Sequence, residues 1–197
     1  MTTRIKKVLS LVCFIFLPLL CVSSLAQEKT KPLDVKLETS KGDIVIRLNT
    51  LSTPITTANF LSYLDSGYYD NTVFHRTIPN FMVQGGGFQS GMIKKKTNDP
   101  IINESASDLS NVRGSISMAR RGTPNSATSQ FFINVADNKR LDMRGLTPGY
   151  AVFGQVIQGM DVVDAIVQTP THSTKGFQNV PAEDIYILHA TRIAQQK

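Results

Sequence analysis

Residues 74–86 read FHRTIPNFMVQGG, and residues 130–135 read QFFINV. Both stretches place long polar side chains among large apolar ones, in short runs that suit β-strands. Their phenylalanine and methionine side chains can line an apolar pocket, and Arg76 can supply a cation at its rim. The plainer alternative is that both stretches are ordinary buried strands and that Arg76 is an ordinary surface charge.

Alternation of apolar and polar residues predicts most of the chain as β-strand. The turn residues Lys41 and Gly42 separate two such runs, which predicts a hairpin between residues 35 and 48. A last strand is predicted from Ile185 to Ile193, with some burial on both faces. Five shorter strands, separated by Gly, Pro, Asn and Asp, are predicted at Val73 to Arg76, Phe81 to Gln84, Ser115 to Ala119, Phe131 to Val135 and Ala151 to Val156.

Two helices are predicted between the strands. Thr53 is the expected cap of the first helix, Pro54 its first residue, and Gly67 its end. A second helix is predicted from Met160 to Gln168. Two helices and about eight strands predict a mainly β protein, a closed eight-stranded antiparallel barrel capped by the helices. The predicted buried face of the first helix is Ile55, Ala58, Leu61 and Leu64.

The first residues of the chain have the pattern of a signal peptide. Three basic residues precede an apolar run from Val8 to Leu20, and small residues follow at Ser24 and Ala26. We expect a signal over residues 1–26, cleaved between Ala26 and Gln27, and export to the periplasm, with secretion as the alternative. A run of about 20 Å is short for a ~30 Å bilayer core, so a retained membrane anchor is disfavoured.

Both cysteines, Cys13 and Cys21, lie in the predicted signal, so the remaining chain has no thiol. This excludes disulfide scaffolds, thiol enzymes and cysteine-ligated metal sites. Lipid attachment at Cys21 is disfavoured because Leu20 stands where a small residue is usual. Removing the signal also lowers the formal charge of +6 by three. We predict no nucleic-acid partner, and we interpret the lysine run 94–96 as a solvated loop.

The rest of the chain is long enough for one core. We predict a flexible mature terminus over residues 27–32 and one domain over residues 33–197. The chain has no heptad pattern or evident apolar patch, which favours a monomer. The three histidines are far apart in sequence, so no metal site is expected. No nucleophile-elbow motif is present, so hydrolysis is disfavoured.

Two features next to the predicted pocket favour structural roles. His75 precedes Arg76 on an alternating strand, so we expect it to face away from the pocket, buried and hydrogen-bonded to the backbone. The run Gly85 to Gly87 lacks the Lys-Ser/Thr that a phosphate-binding loop needs. It is predicted as a bend that brings the backbone close to a partner.

Four motifs follow one another along the chain: FHRTIPNFMVQGG, GSISMARRG, SQFFINV and YAVFGQVIQGMDVVD. Together they resemble the cyclophilin family of peptidyl-prolyl cis-trans isomerases, over residues from about Val35 to Ile193. With the predicted signal, the chain is most similar to exported bacterial members. The resemblance implies the helix-capped barrel, no cofactor, and an enzyme that accelerates rotation about Xaa-Pro bonds in unfolded or flexible exported polypeptides.

The resemblance also implies the residues of the site. Arg76 matches the catalytic arginine, and Gln84 matches a glutamine that positions it or holds a substrate carbonyl. Ala119 and Arg120 match the strand whose backbone pairs with the peptide along an exposed edge. The residues that match the family's binding pocket are Phe81, Met82, Gln130, Phe132, Leu141 and Tyr150.

Two departures from the family pattern bear on specificity. Arg140 stands where many members have tryptophan, so we expect weak binding of cyclosporin, the family's cyclic-peptide inhibitor. The segment Asp142 to Gly149 is longer than the loop of many members. This length bears on which residues are preferred next to proline in a substrate. Two other functions stay open at this point. One is a chaperone or adaptor that holds unfolded chains in the same groove, and the other is an extracellular protein that binds proline-containing loops.

Overall fold

The computed structural model describes residues 32–106 and 108–194. The predicted signal peptide and residues 27–31 lie outside this part of the chain. Its thirteen described strands are, in chain order, β1 Leu33–Thr39, β2 Gly42–Leu48, β3 Thr72–Val73, β4 Arg76–Ile78, β5 Met82–Gly85, β6 Phe88–Gln89, β7 Ile93–Lys94, β8 Ser115–Met118, β9 Phe131–Asn134, β10 Val152–Gln158, β11 Thr171–Thr174, β12 Phe177–Pro181 and β13 Tyr186–Arg192.

Nine of these strands form one antiparallel sheet, in the order β3-β13-β1-β2-β10-β8-β9-β5-β4. Only Phe74 and His75 separate the two edge strands in the chain, so the sheet must curl until its edges come close. The Phe74 amide donates to the Ile185 carbonyl at 2.9 Å, and the His75 amide donates to the Gln84 carbonyl at 3.0 Å.

The expectation of a mainly β protein with two helices is confirmed, whereas a closed eight-stranded barrel is not. The described sheet is curled and has nine strands with two edges. The strand predicted from Val73 to Arg76 divides into β3 and β4, because its two ends pair with different neighbours, β13 and β5. The hairpins β6–β7 and β11–β12 lie outside the main sheet and were not predicted.

Two α-helices, α1 Pro54–Asp65 and α2 Met160–Val167, contribute side chains to the core cluster. No helix in the described ranges is long and apolar enough to cross a membrane. The predicted buried face of α1 is half wrong, because Ile55 and Ala58 are exposed. Two threonines take their place by using their hydroxyl groups in hydrogen bonds. The buried residues of α1 are Thr56, Thr57, Phe60, Leu61, Tyr63 and Leu64.

The first turn of α1 is capped from a distant loop. The Thr53 side chain does not cap the helix, and its hydroxyl donates to the Asn49 carbonyl at 3.2 Å. Glu104 takes its place. One carboxylate oxygen of Glu104 accepts from the Ile55 amide at 3.1 Å, and the other accepts from the Thr56 amide and hydroxyl, both at 2.7 Å. A carboxylate at a helix N-terminus satisfies free amides and suits the helix dipole.

The last strand contains a bulge that breaks its predicted alternation. β1 pairs with His189 and then with Ile187, which leaves Leu188 as the extra residue. Ile187 and Ala190 are therefore the buried residues of β13, while Leu188 and His189 are exposed. The expected regular alternation therefore does not hold through β13, because one extra residue reverses the faces of those after it.

The aromatic core reaches the edge of the predicted site. The Phe60 ring lies 5.1 Å from Tyr69, 5.7 Å from Phe131 and 5.1 Å from Phe153, measured between centroids. The Tyr69 hydroxyl donates to the Ser129 carbonyl at 2.9 Å. Burial raises the pKa of the Tyr69 phenol well above its usual value, so the group remains a donor. This bond fixes the backbone just before Gln130.

Candidate active site

Strand register places the predicted polar and aromatic site residues in one row. Arg76 on β4 is opposite Gln84 on β5, and Gln84 is opposite Phe132 on β9. Their chain neighbours Val83 and Ile133 are fully buried and belong to the core cluster. Successive side chains of a strand point to opposite faces, so the row lies on the face away from the core.

A cavity of about 220 Å³ lies over this row, and we name it the apolar cavity after its buried Met82 and Phe132, although arginine and glutamine side chains also line it. It is smaller than the ~300–1,000 Å³ typical of small-molecule pockets, and this size suits a single side chain or ring. Met82 and Phe132 are its most buried lining residues, at 2% and 4% exposure. Nine of the ten predicted site residues line it: Arg76, Phe81, Met82, Gln84, Ala119, Arg120, Phe132, Leu141 and Tyr150.

The tenth predicted residue, Gln130, is linked to the cavity through Gln84. Its amide oxygen accepts from Gln84 Nε2 at 3.0 Å, and Gln84 Oε1 accepts from Arg76 Nη1 at 3.4 Å. Gln130 lies flat against Gly87, where a Cβ atom would meet Gln130 Cγ at 2.4 Å. At Gly87 the glycine run thus brings the backbone close to a side chain of the same protein, whereas its predicted approach to a partner stays a prediction. The two amides form a chain that orients one side of the arginine.

Tyr150 and Arg120 form one wall of the apolar cavity. The Tyr150 ring meets Phe132 edge-on, with centroids 5.6 Å apart. The Arg120 guanidinium lies 4.7 Å from the Tyr150 centroid and donates to the Gly149 carbonyl at 3.0 Å and the Pro148 carbonyl at 2.7 Å. The end of the long loop therefore holds Arg120 in place, which is a structural role for a segment whose effect the sequence left open.

The strand expected to pair with a peptide is not an edge strand. β8 lies between β10 and β9, so its own backbone is already paired. Only Ala119 and Arg120 continue beyond it, and the Ala119 amide donates to the Gln130 carbonyl at 2.9 Å. Within the described ranges, the Ala119 carbonyl and the Arg120 amide have no hydrogen-bond partner. Pairing with a substrate is therefore limited to this short segment.

A buried asparagine network beside the cavity was not anticipated from the sequence. Asn134 Nδ2 donates to Ser115 Oγ at 2.9 Å, and Asn138 Nδ2 donates to Asn134 Oδ1 at 2.7 Å. Asn138 Nδ2 also donates to the Phe81 carbonyl at 2.8 Å, which anchors a lining residue. Asn134 is two residues after Phe132 on β9, so the alternation of side chains could have predicted that both lie on the same face of that strand. Its burial depends on the segment that folds over it.

Three further cations lie close to the predicted site. The Arg140 guanidinium stands 4.7 Å from the Phe81 ring centroid, at the rim of the apolar cavity. Lys94 and Arg121 line a neighbouring depression. The expectation of a solvated lysine loop is partly wrong, because Lys95 is half-buried and donates to the Tyr68 carbonyl. The paired arginines in the motif GSISMARRG are the sequence feature that could have indicated Arg121 as a residue near the site.

His75 is buried as predicted, at 5% exposure, and does not line the apolar cavity. Its ring packs 4.6 Å from Phe88, measured between centroids, and its Nδ1 has no hydrogen-bond partner of good geometry among the described residues. The pKa of His75 is lowered to about 4, chiefly by burial and to a smaller extent by the Arg76 charge, while the Val73 backbone and the Gln130 side chain oppose the shift. His75 is therefore neutral near pH 7.

With this geometry, the chain matches the family model described as "Cyclophilin type peptidyl-prolyl cis-trans isomerase/CLD" over residues 34–192. It belongs to the cyclophilin-type peptidyl-prolyl cis-trans isomerases. A peptidyl-prolyl cis-trans isomerase of Acinetobacter baylyi is 51% identical over 154 residues, which cover 78% of this chain and 82% of the relative. Peptidyl-prolyl cis-trans isomerase A of Dickeya dadantii is 52% identical over 156 residues, which cover 79% and 82%.

A solved structure agrees with the family assignment. The crystal structure of a Cryptosporidium parvum cyclophilin-type isomerase in the presence of the dipeptide Ala-Pro has a TM-score of 0.67 and 28% identity. The alignment covers 82% of this chain and 99% of that one. Among the described residues of our own chain, no group of three or more His, Cys, Asp or Glu side chains could hold a metal ion.

The buried histidine predicts an acid-side loss of stability. The pKa of His75 is lowered on folding, so the unfolded chain takes up the proton first as pH falls from ~6.5 to about 4. The free energy of unfolding should fall by about 3 kcal/mol across this window, relative to a His75→Phe variant. Urea unfolding at a series of pH values measures it. Parallel curves for the two proteins would contradict the prediction.

The packing at Gly87 predicts a defect in catalysis. In a Gly87→Ala variant the new Cβ would displace Gln130, and Gln84 would lose its anchor. We expect kcat/KM on a neutral Xaa-Pro peptide to fall about tenfold, since small misplacements near a reacting group are costly. Gly122→Ala is the matched control, because no atom lies within 4 Å of its added Cβ. Equal rates for both variants would show that the amide chain does not matter.

Proposed function

We propose that the isomerase twists an Xaa-Pro bond whose proline ring sits in the apolar cavity, with Arg76 donating to the amide as it loses planarity. The amide resists rotation by ~18–20 kcal/mol because resonance gives it double-bond character. In the twisted state the nitrogen regains a lone pair, and a guanidinium can donate to it. Such a bond stabilises the transition state more than the planar amide, which is the condition for catalysis.

The surroundings of Arg76 support this role. The side chain is half-buried beside the cavity, and its single hydrogen bond to a described residue is the 3.4 Å bond from Nη1 to Gln84 Oε1. No carboxylate pairs with Arg76 among the described residues. A guanidinium has five N–H donors, so most remain available to a substrate. Gln84 and Gln130 hold its orientation without neutralising its charge.

The apolar cavity supplies the other part of the mechanism. Its phenylalanine, methionine and leucine side chains can hold a pyrrolidine ring while the chain before it rotates. The relative from Cryptosporidium parvum was crystallised in the presence of Ala-Pro, which is an Xaa-Pro unit of the size this cavity suits. A hundred-thousand-fold acceleration needs about 7 kcal/mol of preferential binding to the twisted state. The Arg76 guanidinium and the fixed proline ring are the two features of the site that can supply this preferential binding.

We further propose that its substrates are exported polypeptides that fold in the periplasm. The basic, apolar and small-residue pattern of residues 1–26 supports export. The cysteine-free remainder is compatible with an oxidising compartment. Uncatalysed isomerisation takes tens to hundreds of seconds, so an isomerase would speed the folding of proline-containing chains there. We propose a monomer that needs no cofactor.

The first prediction for this function concerns Arg76. An Arg76→Ala variant should lose about 10²- to 10³-fold in kcat/KM in a protease-free assay on a short Xaa-Pro peptide, because the donor to the twisted nitrogen is gone. Arg76→Lys should be intermediate, since lysine keeps a donor without the planar fork. Arg144→Ala, an exposed arginine outside the cavity, is the control.

The same variants separate catalysis from chain holding. If the groove acts as a chaperone, Arg76→Ala should suppress client aggregation as well as the unsubstituted protein does while its turnover collapses. Equal, near-background turnover in the folded variant and the unsubstituted protein would reject the arginine mechanism and favour the holding function. Circular dichroism and thermal unfolding confirm that the compared proteins are folded.

The second prediction concerns cyclosporin, which we propose binds weakly. The Arg140 guanidinium over Phe81 replaces a tryptophan wall with a cation on a flexible stem. Titration of the purified protein should give inhibition well above the nanomolar range, and Arg140→Trp should tighten it. Nanomolar inhibition of the unsubstituted protein would contradict the prediction, as would an Arg140→Trp variant with unchanged affinity.

A further inference from the structure

A second depression adjoins the apolar cavity, and we name it the cationic cleft. It measures about 100 Å³ and shares Gln84, Ala119 and Arg120 with the cavity. Consecutive Cα atoms are 3.8 Å apart, so a peptide with its proline in the cavity brings a residue one or two positions away to the cleft. The cleft is lined by Gln84, Lys94, Ala119, Arg120, Arg121, Ser126, Thr128 and Gln130.

The charge of the cleft has one sign. Lys94, Arg120 and Arg121 line it, and no carboxylate of the described residues lines either the cleft or the apolar cavity. Lys94 and Arg121 are exposed, and in the described part of the chain their side chains form no hydrogen bond or ion pair. Arg120 donates to carbonyl oxygens, which hold it without neutralising it.

Three carboxylates that do not line the cleft have other hydrogen-bond partners. Glu104 caps helix α1, and Asp137 accepts from the Arg113 amide at 2.9 Å. Asp142 accepts from the Ser110 hydroxyl at 2.5 Å and from Asn111. Burial acts to raise the pKa of Asp142, but these hydrogen bonds outweigh it and lower the pKa. Its charge is therefore satisfied by inward-facing donors.

The loop that carries Arg121 is braced, so its charge has a defined place. The Arg121 amide donates to Ser126 Oγ at 2.9 Å, and Ser126 Oγ donates to the Thr123 carbonyl at 2.6 Å. On the opposite side, Lys94 ends the short strand β7, which pairs with β6 through Phe88. The two cations thus stand on separate short elements whose backbones are paired.

We propose that the cationic cleft binds an Asp or Glu side chain of the substrate close to the isomerised bond, with Lys94 and Arg121 as specificity-determining residues. This inference rests on the proposed isomerase function of the adjoining cavity. Acidic substrates are favoured because two exposed cations, lacking carboxylate partners, meet one carboxylate at the site of recognition. Substrates with Lys or Arg at the same position are disfavoured by like charge.

The test measures kcat/KM with two series of acetylated, amidated hexapeptides that contain one Ala-Pro bond. In one series Glu, Gln or Lys stands two residues before the proline, and in the other it stands two residues after. The purified protein, a Lys94→Gln/Arg121→Gln double variant and a Lys96→Gln/Arg144→Gln control are compared. Lys96 and Arg144 are exposed and do not line the cleft, so both double variants lose the same charge.

In one of the two series we expect the Glu peptide to exceed the Lys peptide by about five- to thirty-fold, with Gln between them. The ratio should shrink as salt is raised toward ~0.5 M, because the cations are exposed. It should collapse toward one in the Lys94→Gln/Arg121→Gln variant and persist in the control variant.

Two different results would overturn the inference. If all three peptides of both series react equally well in the unsubstituted protein, the isomerase function stands and the acidic preference is wrong. If the preference survives in the Lys94→Gln/Arg121→Gln variant, or vanishes equally in the control, it comes from overall charge and not from the cleft. If no peptide is isomerised, the function itself fails, and the inference fails with it.

Discussion

The antiparallel register of strands β4, β5 and β9 couples the core to the site. It aligns Arg76, Gln84 and Phe132 on one face and Val83 with Ile133 on the other. A slip of one residue would exchange these faces, exposing aliphatic side chains and turning the guanidinium toward the core. Burying an unpaired charge costs far more than any surface interaction recovers. The packing that stabilises the sheet therefore also assembles the site.

The glycine run between β5 and β6 allows this register to coexist with the aromatic core. Gly86 has a φ of 76°, and a Cβ there would come within 2.9 Å of the Phe131 and Tyr69 rings. Only a residue without a side chain lets the rings approach the backbone so closely. Tyr69 in turn binds the Ser129 carbonyl at 2.9 Å. The position of Gln130, and through it the glutamine pair, thus follows from how the core rings pack.

The sequence patterns predicted where the helices and strands lie better than which of their faces are buried. The bounds of both helices agree with the structure to within about two residues, because the residues that start and end them act locally: Pro54 and Gly67 at α1, and Gly159 just before α2. The buried face of α1 was partly wrong because Thr56 is buried by a bond to Glu104, forty-eight residues away. The burial of Asn134 and the bulge at Leu188 likewise depend on contacts with distant segments.

The sequence by itself determined the family, the strand-rich architecture and the set of cavity residues, because motif order and alternation are properties of neighbouring residues. Tertiary structure alone decided that β8 is an internal strand and that the sheet curls with two edges. It also decided that, among the described residues, the cations near the cavity have no acidic partners. Charge neutralisation depends on which carboxylates fold within a few ångströms of a cation, and Glu104, Asp137 and Asp142 bind backbone amides.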